Sequence, residues 1–295
     1  MCIRDRLEGF RPGVAARLGV DHASIAHPGL VYCSISGFGQ DGPRASLPGH
    51  DLTYQAWAGA LGTDSTGAAV VSPLPVADIS SALYATVGIL AALSDPTGQG
   101  AYLDVSMAES VLAFNAVGVL SAQAAATDET LNEPAYGVFA TADRPITLSI
   151  AHEDHFWRAL CNVLGWPELA GLTGPIRRER SRELRERVGA EIARNGARHW
   201  LEVLSAAGVP CGPVNDAAAT LRDDLFAERN AFADIDGKRY PRTPVRRDGA
   251  PSAAAGPAPT LGADTERYLT ELGYSRGDVD RLAADGIVRM AQVAA

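Results

Sequence analysis

Asp78 and His50 are the side chains of this 295-residue chain best placed to do chemistry. Asp78 lies in PVADISSALYATVGILAAL, just before an apolar helical run. An aspartate there is a preferred helix N-cap, because its oxygen accepts an orphan backbone N–H. The same place beside a helix N-terminus keeps a carboxylate ionised and lets it serve as a nucleophile or a base. The two roles can coexist. His50 sits in the Gly/Pro loop LPGHD. An imidazole that is neutral near pH 7 is the usual general base, and a hydrogen-bonded surface histidine would read the same way.

Three other stretches invite a chemical reading and resist it. GFGQDG at 37–42 has the G-x-G-x-x-G spacing after a strand. A dinucleotide site also needs a helix opening there, and Pro43-Arg44-Ala45-Ser46 do not open one. A tight glycine loop is the simpler reading. His152-Glu153-Asp154-His155 places two histidines three apart, a spacing metal sites use. No third ligand is evident, so an acidic helix N-terminus is preferred and no metal is assigned. The run RRERSRELRER at 177–187 pairs opposite charges at helical spacing, such as Glu179–Arg182 and Glu183–Arg187, and reads as a solvated helix face.

The elements that must carry these residues follow from pattern. Residues 7–19 read as a loop and a short helix opened by Pro12. A strand is expected at 29–37, a loop at 38–49 and a helix at 51–60. A strong helix follows at 79–94, then a strand at 101–105 and a long helix at 106–126. Composition shifts at 127–135, as at a domain boundary. Residues 136–151 alternate like two strands around Asp143-Arg144-Pro145. Helices are expected at 153–164, 179–194, 197–207 and 215–229. A linker at 241–260 precedes a last helix at 264–273 and a polar tail.

Composition narrows the class. The chain has 26 basic and 35 acidic residues, a net charge of −9, with 46% hydrophobic residues. That is ordinary globular composition. The net acidity speaks against nucleic acid, which needs clustered cations. The longest apolar run, Ile79 to Leu93, is 15 residues with two serines, whereas a membrane span needs about 20. No secretory signal is read at the start. The four cysteines, Cys2, Cys33, Cys161 and Cys211, are widely spaced. They read as reduced thiols in a cytoplasmic protein.

Taken in order, EGFRPGVAARLG, LVYCSISGFGQDGPRASLPGHDLTYQAWAGALG, PLPVADISSALYATVGILAAL and TGQGAYLDVSMAESVL resemble the family III CoA-transferases, the CaiB/BaiF family. That family also contains the α-methylacyl-CoA racemases. The resemblance runs on through YGVFATADRPITLSIAHEDHFWRAL and AAGVPCGPVND, and covers nearly the whole chain from Leu7. It implies an α/β fold with a large Rossmann-like domain at 7–132, a smaller inserted α+β domain at 133–240, and a C-terminal segment, 241–295, returning to the large domain. Family members open with a further Rossmann-like region. The large domain is therefore expected to be N-terminally truncated here, with part of the CoA surface missing and residues 1–6 outside the family pattern.

The resemblance makes Asp78 the nucleophile that attacks an acyl-CoA thioester, giving a mixed anhydride and then an aspartyl-CoA thioester. The helix N-terminus is expected to supply amide donors and field for the oxyanions. In the racemases the matching aspartate and the histidine of the GHD loop, here His50, flank the α-carbon as two bases. A glutamate at the place of Glu153 supports that histidine. The glycine-rich loop of the formyl-CoA type is not recognisable at 132–137, NEPAYG. CoA contacts carry over to Gly9, Phe10, Arg11, Arg17, Leu47, Pro48 and Gly49, with Arg11 and Arg17 as phosphate donors. A CoA transferase is the first reading, a 2-methylacyl-CoA racemase the second and an inactive acyl-CoA-binding fragment the third. No cofactor is expected to be tightly bound; the CoA thioester is a substrate. A carboxylic-acid acceptor and an interlocked homodimer are implied, with no nucleic acid and no membrane.

Overall fold

A computed structural model of the chain describes residues 4–25, 27–63, 66–123, 132–254 and 256–291. Cys2 and most of the composition shift at 127–135 lie outside the described residues. In chain order the elements are β1 (Asp5–Glu8), α1 (Val14–Arg17), α2 (His22–Ile25), β2 (Val31–Ser36), α3 (Asp51–Trp57), β3 (Gly62–Thr63), β4 (Ala69–Val70), α4 (Val76–Leu93), β5 (Ala101–Ser106), α5 (Met107–Phe114) and α6 (Ala116–Gln123). There follow β6 (Tyr136–Phe139), β7 (Ile146–Ser149), α7 (Asp154–Leu164), α8 (Gly174–Glu179), α9 (Ser181–Ile192), α10 (Ala197–Ala206), β8 (Cys211–Pro213), α11 (Ala217–Thr220), α12 (Asp224–Glu228), β9 (Phe232–Ile235), β10 (Lys238–Pro241), α13 (Thr265–Glu271) and α14 (Arg276–Ala284). They divide into two compact units. One comprises Met1–Tyr136, Ile150–Arg158 and Pro167–Arg187; the other comprises Gly137–Ser149, Ala159–Trp166 and Val188–Ala295.

The first unit is built on a parallel sheet of order β1-β2-β5. Register sorts its side chains by chemistry. Leu7, Cys33 and Leu103 align on one face, and α4 packs there, with Gly88 set against Leu103. Glu8, Ser34 and Asp104 align on the other. This follows from the period of two along each strand. The loop expected at residues 7 and 8 is instead the end of β1, which also takes in Asp5 and Arg6. Its pairing with β2 is a tertiary contact that local pattern does not encode.

α4 begins at Val76, earlier than expected, and is long and apolar enough to cross a membrane by length and composition alone. Here Ala77, Ser80, Ser81 and Ala85 are buried, while Ile79, Leu83, Val87 and Leu90 stay exposed. The helix expected over 106–126 is two, broken at Asn115, whose side-chain amide donates to Ala58 O and Gly59 O. The charged run at 177–187 is not wholly solvated. Arg177 is fully buried, donating to Glu133 Oε2 at 3.0 Å and Asp154 Oδ1 at 2.5 Å. The ion pairs formed along the run are Arg180–Glu183, Arg182–Glu186 and Arg187–Glu168, and the expected Arg187 charge also acts on Glu183.

The second unit pairs β7 with β8 antiparallel in the sheet β6-β7-β8. Ile146, Leu148, Leu160, Val188, Ile192 and Leu204 are among its buried residues. Residues 215–229 form two short helices, because Asp223 starts a second one by accepting from Leu225 N–H at 3.0 Å. β9 and β10 form a hairpin turned by Asp236-Gly237, both at positive φ. The polar tail contains α14, opened by a capping box between Ser275 and Asp278. Among the described residues Cys33 and Cys211 are free thiols.

Candidate active site

The strand ends of the first unit feed a cavity of about 450 Å³. Its lining includes Gly9, Phe10 and Arg11 from the loop after β1, and Leu47, Pro48, Gly49 and His50 from the loop after β2. Asp78 from α4 and Tyr54 from α3 also line it. A crevice outside the carboxyl ends of parallel strands is where open α/β sheets bind ligands.

Each wall is held by identifiable contacts. Glu8, 8% exposed at the end of β1, accepts from Phe10 N–H at 2.6 Å and from the Ser34 hydroxyl at 2.7 Å. The loop carrying Phe10 and Arg11 is thus pinned to the sheet. Gly37 and Gly49 flank the ring of Tyr54: a Cβ at either would come within 2.6 Å and 2.7 Å of a ring carbon, respectively. Only glycine leaves room for the ring at these two points. Phe38 closes edge-on against Tyr54 with centroids 5.2 Å apart, over a core of Ala58, Ala77 and Val111.

Asp78 does not cap its helix. It is the third residue of α4, and the N-cap position is Pro75, which has no capping side chain. The cap comes from Asp51, beside His50 on α3. Asp51 Oδ1 accepts from Ala77 N–H at 2.6 Å and from Asp78 N–H at 3.2 Å, and Oδ2 accepts from the buried Gln55 amide. Gln55 also donates to Leu74 O at 3.3 Å, tying the chain just before α4 to α3. The Asp78 carboxyl is exposed and lies against the cavity.

This geometry corrects one expectation. The amides of the first turn of α4 are not available to an oxyanion. Val76 N–H donates to Leu74 O, Ala77 and Asp78 donate to Asp51, and Ile79 N–H donates to Pro75 O. The helix field remains at Asp78, but the donors must come from elsewhere.

Of the residues singled out in sequence, Asp78, His50, Gly9, Phe10, Arg11, Leu47, Pro48 and Gly49 come together around this one cavity. Arg17 and Glu153 are not among the residues lining it. Arg17 is exposed in the last turn of α1. Glu153 turns back on its own loop, accepting from Ala151 N–H at 3.2 Å. Asp51, Tyr54 and Glu8 were not anticipated. Asp51 adjoins the GHD histidine, but nothing local shows that it caps a helix 26 residues on. Among the described residues no three His, Cys, Asp or Glu side chains gather as a metal site requires.

Comparison with known proteins places this site in context. The model of CoA-transferase family III matches residues 6–265. The chain is 35% identical over 261 residues to the acetyl-CoA:oxalate CoA-transferase of Acetobacter aceti, covering 82% of this chain and 66% of that one. It thus spans just under two thirds of that relative. It is 27% identical over 310 residues to the alpha-methylacyl-CoA racemase of Homo sapiens, covering 98% of this chain and 80% of that one. The crystal structure of a CaiB/BaiF family protein from Brucella suis superposes with a TM-score of 0.78 at 25% identity, over 91% of this chain and 75% of that one.

Proposed function

The chain belongs to the family III CoA-transferases and has their α/β fold, and from that premise we propose that it moves CoA from a thioester to a carboxylic acid through Asp78. The observation that carries this reading is the exposed Asp78 carboxyl at the mouth of a cavity, on a helix terminus clamped by Asp51. An Asp78 oxygen attacks the thioester carbonyl, and the tetrahedral intermediate expels CoA thiolate, leaving a mixed anhydride. The thiolate attacks the aspartyl carbonyl, forming an aspartyl-CoA thioester and releasing the first carboxylate. The acceptor carboxylate then attacks that thioester, expelling CoA thiolate and forming a second mixed anhydride; the thiolate attacks the acceptor's acyl carbon, and the Asp78 carboxylate leaves. A carboxylate suits this sequence because it is both nucleophile and leaving group.

Arg11 and Phe10 are the groups we assign to the CoA moiety, a guanidinium for phosphate beside an apolar ring. Substrates of this class are acyl-CoA and a carboxylic acid. The protein is read as a cytoplasmic homodimer without nucleic-acid or membrane partners. The exposed Ile79, Leu83, Val87 and Leu90 support self-association, and the net charge of −9 argues against nucleic acid. Incubation with acetyl-CoA and hydroxylamine should convert Asp78 to its hydroxamate, located by peptide mass spectrometry. Exchange of CoA into added acids without any mark on Asp78 would remove the covalent route.

One observation favours a second reading. His50 and Asp78 line the same cavity, as a two-base α-proton transfer would need. Glu153 does not line it, so the third member of the racemase set has less support. Deuteration of a 2-methylacyl-CoA in heavy water without an acceptor acid, lost in His50→Ala, would favour the racemase. Binding of thioester with neither reaction would leave the inactive fragment.

A further inference from the structure

We infer that Tyr54 is a catalytic residue, its phenol O–H donating to the carbonyl oxygen of the acyl thioester as that oxygen gains charge. The inference rests on the transferase reading for its chemistry and on geometry for its residue. A tetrahedral intermediate needs a donor at its oxyanion, and the first-turn amides of α4 are all engaged. Tyr54 is 5% exposed and lines the cavity with Asp78 and Arg11. Among the described residues its hydroxyl meets no hydrogen-bond partner, unlike the Tyr32 hydroxyl, which donates to Val20 O, and the Tyr102 hydroxyl, which donates to Ser34. A hydroxyl on a cavity wall without a protein partner is free to donate to a substrate oxygen.

Position agrees. The hydroxyl lies 2.4 Å from where a Cβ on Gly37 would stand and 2.9 Å from one on Gly49. Both glycines line the cavity, so the phenol tip reaches the wall between them. The ring is held by Phe38 and by a core that includes Ala77, the residue next to Asp78. Donor and nucleophile are therefore set by the same packing. Burial pushes the phenol above its ordinary value; Arg11 opposes that and Asp78 adds to it. The group therefore keeps its proton. As the Asp78 oxygen bonds to the carbonyl carbon, the carbonyl π pair moves to oxygen and is met by this O–H. When the intermediate collapses the pair returns and CoA thiolate leaves. Tyr54 neither gains nor loses a proton.

The test is Tyr54→Phe, which keeps the ring and its packing. With acetyl-CoA and a carboxylic acid, kcat should fall about 100-fold or more, while KM for acetyl-CoA changes little and thermal unfolding stays at the wild-type midpoint. Infrared difference spectra of bound acetyl-CoA carrying a ¹³C carbonyl give a readout independent of turnover. The carbonyl stretch should be lowered in the wild type and return toward its free value in Tyr54→Phe. Wild-type kcat and an unchanged stretch in the variant would overturn the inference while leaving the transferase reading intact. A Tyr54-dependent stretch in a wild-type protein that transfers no CoA would overturn that reading and keep the contact. No lowering of the stretch in the wild type would overturn the role of Tyr54.

Discussion

The helices α4 and α10 start in the same predicament and are rescued in the same way, yet with different consequences. Their N-cap residues, Pro75 and Gly196, offer no side-chain acceptor. Each is capped from a distance by an aspartate. Asp51 accepts from Ala77 and Asp78 N–H at the start of α4, and Asp143 accepts from Ala197 N–H at 2.7 Å at the start of α10. Asp143 also gathers the Thr141 hydroxyl and Arg144 N–H, so it closes the turn between β6 and β7. Asp51 lies beside a histidine and aims its helix at a cavity. A remote cap is a general solution to orphan amides. In one unit it ends a hairpin, and in the other it leaves the carboxyl of Asp78 free for chemistry. A third case, Asp154, accepts from Gly174 N–H at the start of α8 and adds an ion pair to the buried Arg177.

The largest stability effect is expected where the remote carboxyl also meets a buried charge. Arg177→Met leaves Glu133 buried with only Arg178 and leaves Asp154 without its guanidinium. Removing one partner of a buried pair costs about 3–5 kcal/mol. Urea unfolding should show it, and a loss near 1 kcal/mol would mean that water relaxes into the site. Next comes Asp51→Ala, with about 1–2 kcal/mol for the cap and a fall in kcat of about 100-fold from misplacement of Asp78. Turnover at the wild-type rate would break the link between this cap and the site.

Asp143→Ala should lower the unfolding midpoint through the lost cap and leave kcat per folded molecule unchanged, which sharpens the contrast if both variants are measured side by side. The smallest effect is in pH dependence. The Ala197 amide, the Thr141 hydroxyl and the Arg144 amide hold the Asp143 carboxyl at about 2 instead of 3.8. A depressed carboxyl stabilises the fold fully above its unfolded value and loses that contribution as pH falls through the folded one. Unfolding midpoints should therefore drop between pH 3.8 and about 2, and Asp143→Asn should flatten that part of the curve. An unchanged slope would show that other carboxyls carry it.

Much of the architecture was legible locally. The β-branched run of β2, the apolar α4 and the Asp/Gly/Pro loops all follow from residue pattern. Two missed elements had local signals: the positive-φ pair Asp236-Gly237 for the β9–β10 hairpin, and Ser275 with Asp278 for α14. Others had none. Asn115 divides α5 from α6 by bonding to Ala58 and Gly59, and Arg177 looks in sequence like its solvated neighbours. The linked motifs around His50 and Asp78 were enough to bring family and candidate residues together before any geometry was known.

Sequence by itself determined the main elements, the family and many of the residues that gather at the cavity, because periodicity and motif spacing act over a few residues at a time. Tertiary structure alone decided which aspartate caps and which is left free. Asp51 and Asp78 are alike in chemistry, and each stands at a helix start. Packing of α3 against α4 directs Asp51 at the orphan amides, occupying those donors and leaving the carboxyl of Asp78 exposed. The same packing brings the Tyr54 ring beneath two glycines. Such choices depend on contacts across dozens of residues, where local propensity has no information.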